Sequence, residues 1–379
     1  MIDTVILILD SENFQIIEPD KFDPSASWIL SNKSIAGKNG YIFAKQNPTK
    51  KEFRAGIYKP RLTLTKRCFQ AGFVITLKIE CSLTKLLYGN NFDELEGNDF
   101  MAVAEKLKTK LGDMGIKVSP ESLANAKIHA IHYSKNIHLT DGMIPAHFIS
   151  RIRNSDISKI LDMSEKDFRN GGHCFKMHCN SYEVVFYDKI QDLKAANKSD
   201  KRTIESDNVV QLGILNDLQK RYMLEVLRFE VRLNSTKKIK QLFQLLKISA
   251  ELKFKELFSE SVSQCVLQHY MHEVESSIPP NFDYKKTDTT LLLTALAINN
   301  PNMNSKKVLQ KFGLIIALDN MNQRELRVLF GKCSQRSWDK EIQELKLLNL
   351  PRKTDSFEII HKQLSEFKPL RLSNFKCDK

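Results

Sequence analysis

The sequence predicts an α+β fold: an N-terminal antiparallel sheet with packed helices, followed by a mainly helical C-terminal region. Three observations predict it. Short runs rich in β-branched residues with period-two alternation fill most of the stretch before Asn234. From Ser235 onward the apolar residues recur at helical spacing. Between the two long helical stretches, "SSIPPNFDYKKTD" (276–288) sets paired prolines among polar residues, the strongest boundary signal in the chain. The expected division is therefore 1–234 as a sheet-based domain, 235–275 as a helical extension and 289–379 as a helical C-terminal domain.

In chain order, "VILIL" (5–9), "RLTLT" (61–65) and "FVITLKIE" (73–80) read as strands. "NDFMAVAEKLKTKLGDMG" (98–115) reads as an amphipathic helix closed by Gly115, and "KIHAIHYS" (127–134) alternates as a strand. "GGHCFKMHCNSYEVVFYDK" (171–189) reads as a hairpin turning at Asn180-Ser181, and "IQDLKAA" continues as a helix before a polar loop from Asn197 to Asn208. "LRFEVRL" (227–233) is a strand with Leu227, Phe229, Val231 and Leu233 on one face and Arg228, Glu230 and Arg232 on the other. Near the end, "NQRELRVLFGKCSQRSWDKEIQELKLLNL" suggests two helices joined near Gly331 to Ser337. This pattern fits a DNA-binding helix-turn-helix or a plain bundle.

A chain of 379 residues with 42% hydrophobic and 27% charged residues is neither disordered nor a membrane protein in composition. Its net charge of +13 attracts polyanions, nucleic acid among them. The surplus is concentrated between Tyr41 and Arg67, where Lys45, Lys50, Lys51, Arg54, Lys59, Arg61, Lys66 and Arg67 face a single acid, Glu52. Tyr41, Phe43, Phe53 and Tyr58 interleave with these charges, a pattern suited to tracking phosphates and stacking bases. Seven scattered cysteines without a CxxC pair suggest reduced thiols. With neither a signal peptide nor a spanning segment in sight, a cytoplasmic protein without membrane contact is expected.

Three stretches carry candidate chemistry. In "LRFEVRL", Glu230 could ligate a hard cation such as Mg²⁺ or Mn²⁺, and Arg228 and Arg232 could hold phosphate or simply neutralise it. From those seven residues alone a structural ion pair is the favoured reading. In "VVFYDK" (184–189), Tyr187 shares a strand face with Lys189, whose charge could favour the phenolate or a phosphoryl group in transit. In "KIHAIHYSKNIH", His129 shares a face with Lys127, Ile131 and Tyr133, whereas His132 points the other way unless a bulge intervenes. "HCFKMHC" (173–179) cannot gather a tetrahedral zinc set on one strand face, and "HYMHE" (269–273) lacks the HExxH order. A GxxxxGK[ST] loop is missing, which argues against ATP hydrolysis.

Taken in order, these stretches resemble the replication initiator endonucleases of filamentous phages (inoviruses), the gene II/X family, and more distantly the rolling-circle Rep proteins of plasmids. The matching segments are "MIDTVILIL", "FVITLKIECSLTKLLYGNNFDEL" (73–95) with its core "KLLYGNN", "VVFYDK", "LRFEVRL" and, more loosely, "SQRSWDKEIQELKLLNLP". "KIHAIHYS" stands where the family has an Arg-Ile-Asp strand, with Lys127 at the arginine and His129 at the aspartate. The resemblance implies an N-terminal nicking and joining domain that cuts one strand of a double-stranded replication origin. Tyr187 would be the nucleophile, left joined to the 5′ phosphate, and Lys189 its catalytic partner. Glu230 and His129 would hold Mg²⁺ or Mn²⁺. Arg228, Arg232, Lys127, Lys50, Lys51, Arg54, Lys59 and Arg61 would contact DNA. The implied partners are origin DNA, the displaced single strand, and a helicase and a polymerase of the bacterial host, in whose cytoplasm the protein would act. The alternatives are an origin-binding protein or repressor that does not cut, and a conjugative relaxase with the same chemistry.

Overall fold

The computed structural model describes residues 1–31, 40–49, 51–52, 57–69, 72–140, 143–153, 165–196, 224–277, 288–321, 323–330, 334–350 and 356–375. The strands are β1 (Ile2–Asp10), β2 (Gln15–Ile16), β3 (Tyr41–Gln46), β4 (Arg61–Phe69), β5 (Gly72–Ser82), β6 (Ile116–Lys117), β7 (Lys127–Leu139), β8 (Glu165–Arg169), β9 (Cys174–His178), β10 (Tyr182–Asp188) and β11 (Glu225–Leu233). Nine of them form one sheet in the order β3-β4-β5-β1-β7-β11-β10-β9-β8, antiparallel at every pairing. β2 and β6 pair separately. The polar stretch from Asn197 to Asn208 lies outside the described residues.

Period-two alternation puts Leu7, Leu64, Ile79, Ile131, Phe186 and Phe229 in the buried core. The helices that close this core present apolar stripes to it: Phe100–Asp113 through Val103, Leu107 and Leu111, and Pro145–Arg153 through Phe148, Ile149 and Ile152. Phe186 and Phe229 stack with centroids 4.8 Å apart, and Phe148 leans on Phe186.

The C-terminal helices divide between two cores. In the 235–275 stretch, Ile239, Leu242 and Phe243 of the helix Thr236–Leu246, and Val266, Leu267 and Tyr270 of Glu260–Ser276, belong to the main core. Residues 292–350 build their own core around Leu296, Ile315, Trp338 and Leu345, with buried Lys311 paired to Glu341 and Glu344 at 2.7 and 2.8 Å. The helix Ser356–Glu366 then returns to the sheet, burying Phe357, Ile360 and Leu364 in the main core. Gln363 exchanges hydrogen bonds with the His138 backbone, donating through Nε2 to its carbonyl and accepting its N–H on Oε1. Helical periodicity reports which face of a helix is apolar, not which surface that face will meet. Among the described residues, no helix is long and apolar enough to cross a membrane.

The end of the helix Phe100–Asp113 is fixed by Gly115, at φ +80°, whose carbonyl accepts the N–H groups of Ile17 and Glu18. A Cβ built there would lie 2.6 Å from the Glu18 Cβ, so steric closeness and a left-handed backbone both demand glycine. Gly115→Ala is expected to destabilise the fold by about 1–3 kcal/mol. Urea unfolding checks it; an unchanged midpoint would contradict this packing.

Candidate nucleic-acid cleavage site

The site grows from the polar face of β11. Register sets Arg228 between Asn136 of β7 and Tyr187 of β10, Glu230 between Ser134 and Val185, and Arg232 between His132 and Glu183. Arg228, 1% exposed, ion-pairs with Asp3 at 3.0 Å and donates to the Asn136 Oδ1 at 3.1 Å and the Asn91 carbonyl at 3.3 Å. Arg232 bridges Glu230 at 2.7 Å and Glu183 at 3.3 Å, and Lys176 holds the other Glu183 oxygen at 2.9 Å. The lone carboxylate of "LRFEVRL" is thus one member of a charge chain running across three strands.

Asp3 is a site residue that strand alternation does not reveal. The pairing slips between Ile2–Tyr133 and Thr4–His132, so Asp3 sits in a bulge and can reach Arg228. The hydroxyls of Thr84 and Thr4 donate to it at 3.3 and 3.2 Å. Burial alone would raise its pKa, but Arg228, with help from Lys189, His132 and Lys85, holds the carboxyl well below its ordinary value. The only signal in the sequence is a charge inside the apolar run "MIDTVILIL".

Tyr187 and Lys189 stand at the end of β10. Asp188 between them accepts the Gln191 N–H at 2.9 Å, ending the strand and starting the helix Lys189–Ala196. Lys189 is completely buried, and its ammonium has no hydrogen-bond partner among the described residues. Its Nζ lies 5.7 Å from the centre of the partly exposed Tyr187 ring. Burial, reinforced by Arg228, pushes Lys189 down to about 7 against the pull of Asp192, Asp3 and Glu230. Burial pushes the Tyr187 phenol up, with Arg228 acting in the opposite direction. Tyr133 and Tyr182 belong to the main core, away from this face.

The "KLLYGNN" stretch covers Arg228. The helix Leu83–Tyr88 stops at left-handed Gly89, and the Asn90 Oδ1 accepts the N–H groups of Phe92 and Asp93 at 2.9 and 2.8 Å. This turn aims the Asn91 carbonyl at Arg228. Buried Glu94 then accepts from the Lys135 ammonium and from the N–H groups of Asn136 and Leu370. Burial opposes its ionisation, yet Lys135 keeps its pKa low. Leu370, Leu372 and Phe375 pack on Phe92, Ile190, Leu224 and Val226, so the end of the described chain straps this corner.

Of the remaining expected residues, those that are described are not brought to Tyr187. A second slip, between Ile6–Ala130 and Leu7–Ile128, changes the parity of β7. His129 therefore lies exposed near Lys78 and Arg67, while His132 is the histidine that neighbours Arg232, Glu230 and Asp3. Lys127 pairs with Asp10 at 2.7 Å, Lys59 with Glu52, and Arg61 with Glu80 at 3.6 Å; Lys51 is exposed. Arg61 on β4 stands five strands from β10. Lys50 and Arg54 lie outside the described residues.

Glu230 and His129, the residues expected to hold Mg²⁺ or Mn²⁺, lie apart in the sheet. Glu230 is tied to Arg232, and among the described residues no group of three or more His, Cys, Asp or Glu could hold a metal ion. Comparison with protein-family models, curated proteins and solved structures finds no match to this chain.

Asp3→Asn leaves Arg228 without its counter-charge and is expected to cost about 3–5 kcal/mol at neutral pH. The native Asp3 carboxyl titrates below its ordinary 3.8, so the unfolded state binds the extra proton first. Its contribution is complete above that value and fades as pH falls below it. Denaturant melts of both proteins should show the gap narrowing toward pH 3; a gap independent of pH would contradict the pair.

Proposed function

We propose that the chain is a single-strand DNA endonuclease and strand transferase that opens a replication origin through Tyr187. The observation carrying this reading is the buried Lys189 beside Tyr187, without a hydrogen-bond partner among the described residues, on a face that also carries the guanidinium groups of Arg228 and Arg232. A buried amine pushed down to about 7 is available in its neutral form near physiological pH and suited to accepting a phenolic proton.

In the proposed reaction the Tyr187 oxygen attacks the scissile phosphorus in line. Its proton passes to neutral Lys189 as the phosphorus–O3′ bond breaks. The departing 3′ oxygen takes a proton from water and becomes a free 3′-OH primer, and tyrosine keeps the 5′ phosphate as a diester. Arg232, one-third exposed and held by two carboxylates, is the guanidinium available to the phosphate, while Arg228 keeps the tyrosine strand in place. Attack by a later 3′-OH on the diester reverses the step and closes a strand. Bond energy is conserved in the ester, which agrees with the missing nucleotide-binding loop. Unwinding and synthesis then fall to a separate helicase and polymerase.

Tyr187→Phe is expected to abolish nicking of supercoiled origin DNA while binding stays within about twofold, because phosphate contacts dominate affinity. Nicking by this variant would exclude the tyrosine.

The pH dependence follows from Lys189. Nicking should rise as pH passes through about 7, since the neutral amine is the proton acceptor. Stability moves the same way. The unfolded amine, with its ordinary value of 10.5, binds more protons than the native one, so the native state gains between about 7 and 10.5. Lys189→Met removes this term. Its stability relative to wild type should fall steadily from pH 7 to pH 10, read by chemical denaturation. Parallel profiles would contradict a buried, shifted amine.

A further inference from the structure

The half of the sheet farthest from Tyr187 carries a second feature. On β3 the alternate residues Tyr41 and Phe43 are 63% and 43% exposed, with rings stacked at 6.2 Å and 25°. Register continues each row inward: Tyr41 meets Arg67, Phe43 meets Thr65, and Lys45 meets Thr63 and then Lys78. Lys45 reaches over the Phe43 ring at 5.1 Å. Together with Arg61 these residues line a groove of about 400 Å³ whose one acid among the described residues, Glu80, is held by Arg61 at 3.6 Å. The opposite face of the same strands carries core residues Ala44, Leu62, Leu64, Leu77 and Ile79. Packing therefore explains one face and leaves the other, with two large rings in water, without a structural use.

We propose that this face binds single-stranded DNA, with bases stacked on Tyr41 and Phe43 and phosphates held by Lys45, Arg67 and Lys78. The charge complementarity selects a polyanion. The rings select unpaired bases, because a duplex hides its base faces in its own stack. Small threonines between the cations keep the floor flat enough for a stacked strand. In a nicking enzyme this surface would retain the strand released by cleavage. It rests on the reading above only for the source of that strand, since binding itself needs no cleavage.

The test measures fluorescence anisotropy of the full chain with oligothymidylate of about 12 nucleotides, within the span of sheet-based single-strand binders. A hairpin duplex with the same number of phosphates is the comparison. Tyr41→Ala with Phe43→Ala should weaken single-strand binding about tenfold or more and change duplex binding less than about twofold, as expected for two lost stacking contacts. Tyr41→Phe should bind like wild type, and melting temperatures should be unchanged because both rings are exposed. Tyr187→Phe should keep full single-strand affinity, which separates this site from the cleavage chemistry. Unchanged single-strand affinity in the double variant, or equal loss on both probes, would overturn the assignment. So would a double variant that alters only self-association in sedimentation.

Discussion

The buried pair of Arg228 and Asp3 is the constraint around which the corner containing Tyr187 is built. A guanidinium removed from water costs several kcal/mol unless its charge and donors are met. Here the charge and the terminal N–H groups are met by three segments far apart in sequence: the β1 bulge at Asp3, the turn at Asn91, and Asn136 on β7. The bulge, the left-handed Gly89 and the Asn90 turn all make sense as devices that bring an acceptor to this one side chain. Because Arg228 is paired in register with Tyr187, fixing the arginine also fixes the tyrosine's strand.

Glu94 extends the same frame to the end of the described chain. It gathers the Lys135 ammonium and two backbone N–H groups, one of them from Leu370. Arg371 adds an ion pair to Glu96 at 2.9 Å and a hydrogen bond to the Tyr88 hydroxyl at 3.2 Å. A rigid surround of this kind holds reacting groups in place before substrate arrives. Within it, Lys189 is a buried cation left without a hydrogen-bond partner among the described residues, and that vacancy of contacts is what makes it chemically interesting.

Local rules made the strands and the polar face of β11 legible, since a period of two needs no knowledge of neighbours. They also put Tyr187 and Lys189 together, two residues apart at a strand end. The same rules missed Asp3, which sits in a pairing slip between β1 and β7, whereas His129 was singled out by the family resemblance rather than by alternation. A bulge reverses the parity of everything beyond it, and nothing in either strand alone announces one. Interleaved aromatics and cations marked Tyr41, Phe43 and Arg67, but Lys59 was equally basic in sequence and is spent on Glu52. The helices after Ser235 were visible as helices. Their destinations, one set in the main core and another in its own, depended on surfaces that only the assembled fold creates.

The central claim is that the Tyr187 oxygen forms the bond to DNA. The most direct measurement is mass spectrometry of the peptide left joined to the 5′ phosphate after the protein cleaves a single strand spanning its origin nick and is digested with protease and nuclease. The account predicts a nucleotide adduct on Tyr187 and on no other residue. An adduct on Tyr133, Tyr182 or a serine, or cleavage that leaves no protein on the DNA, would contradict it.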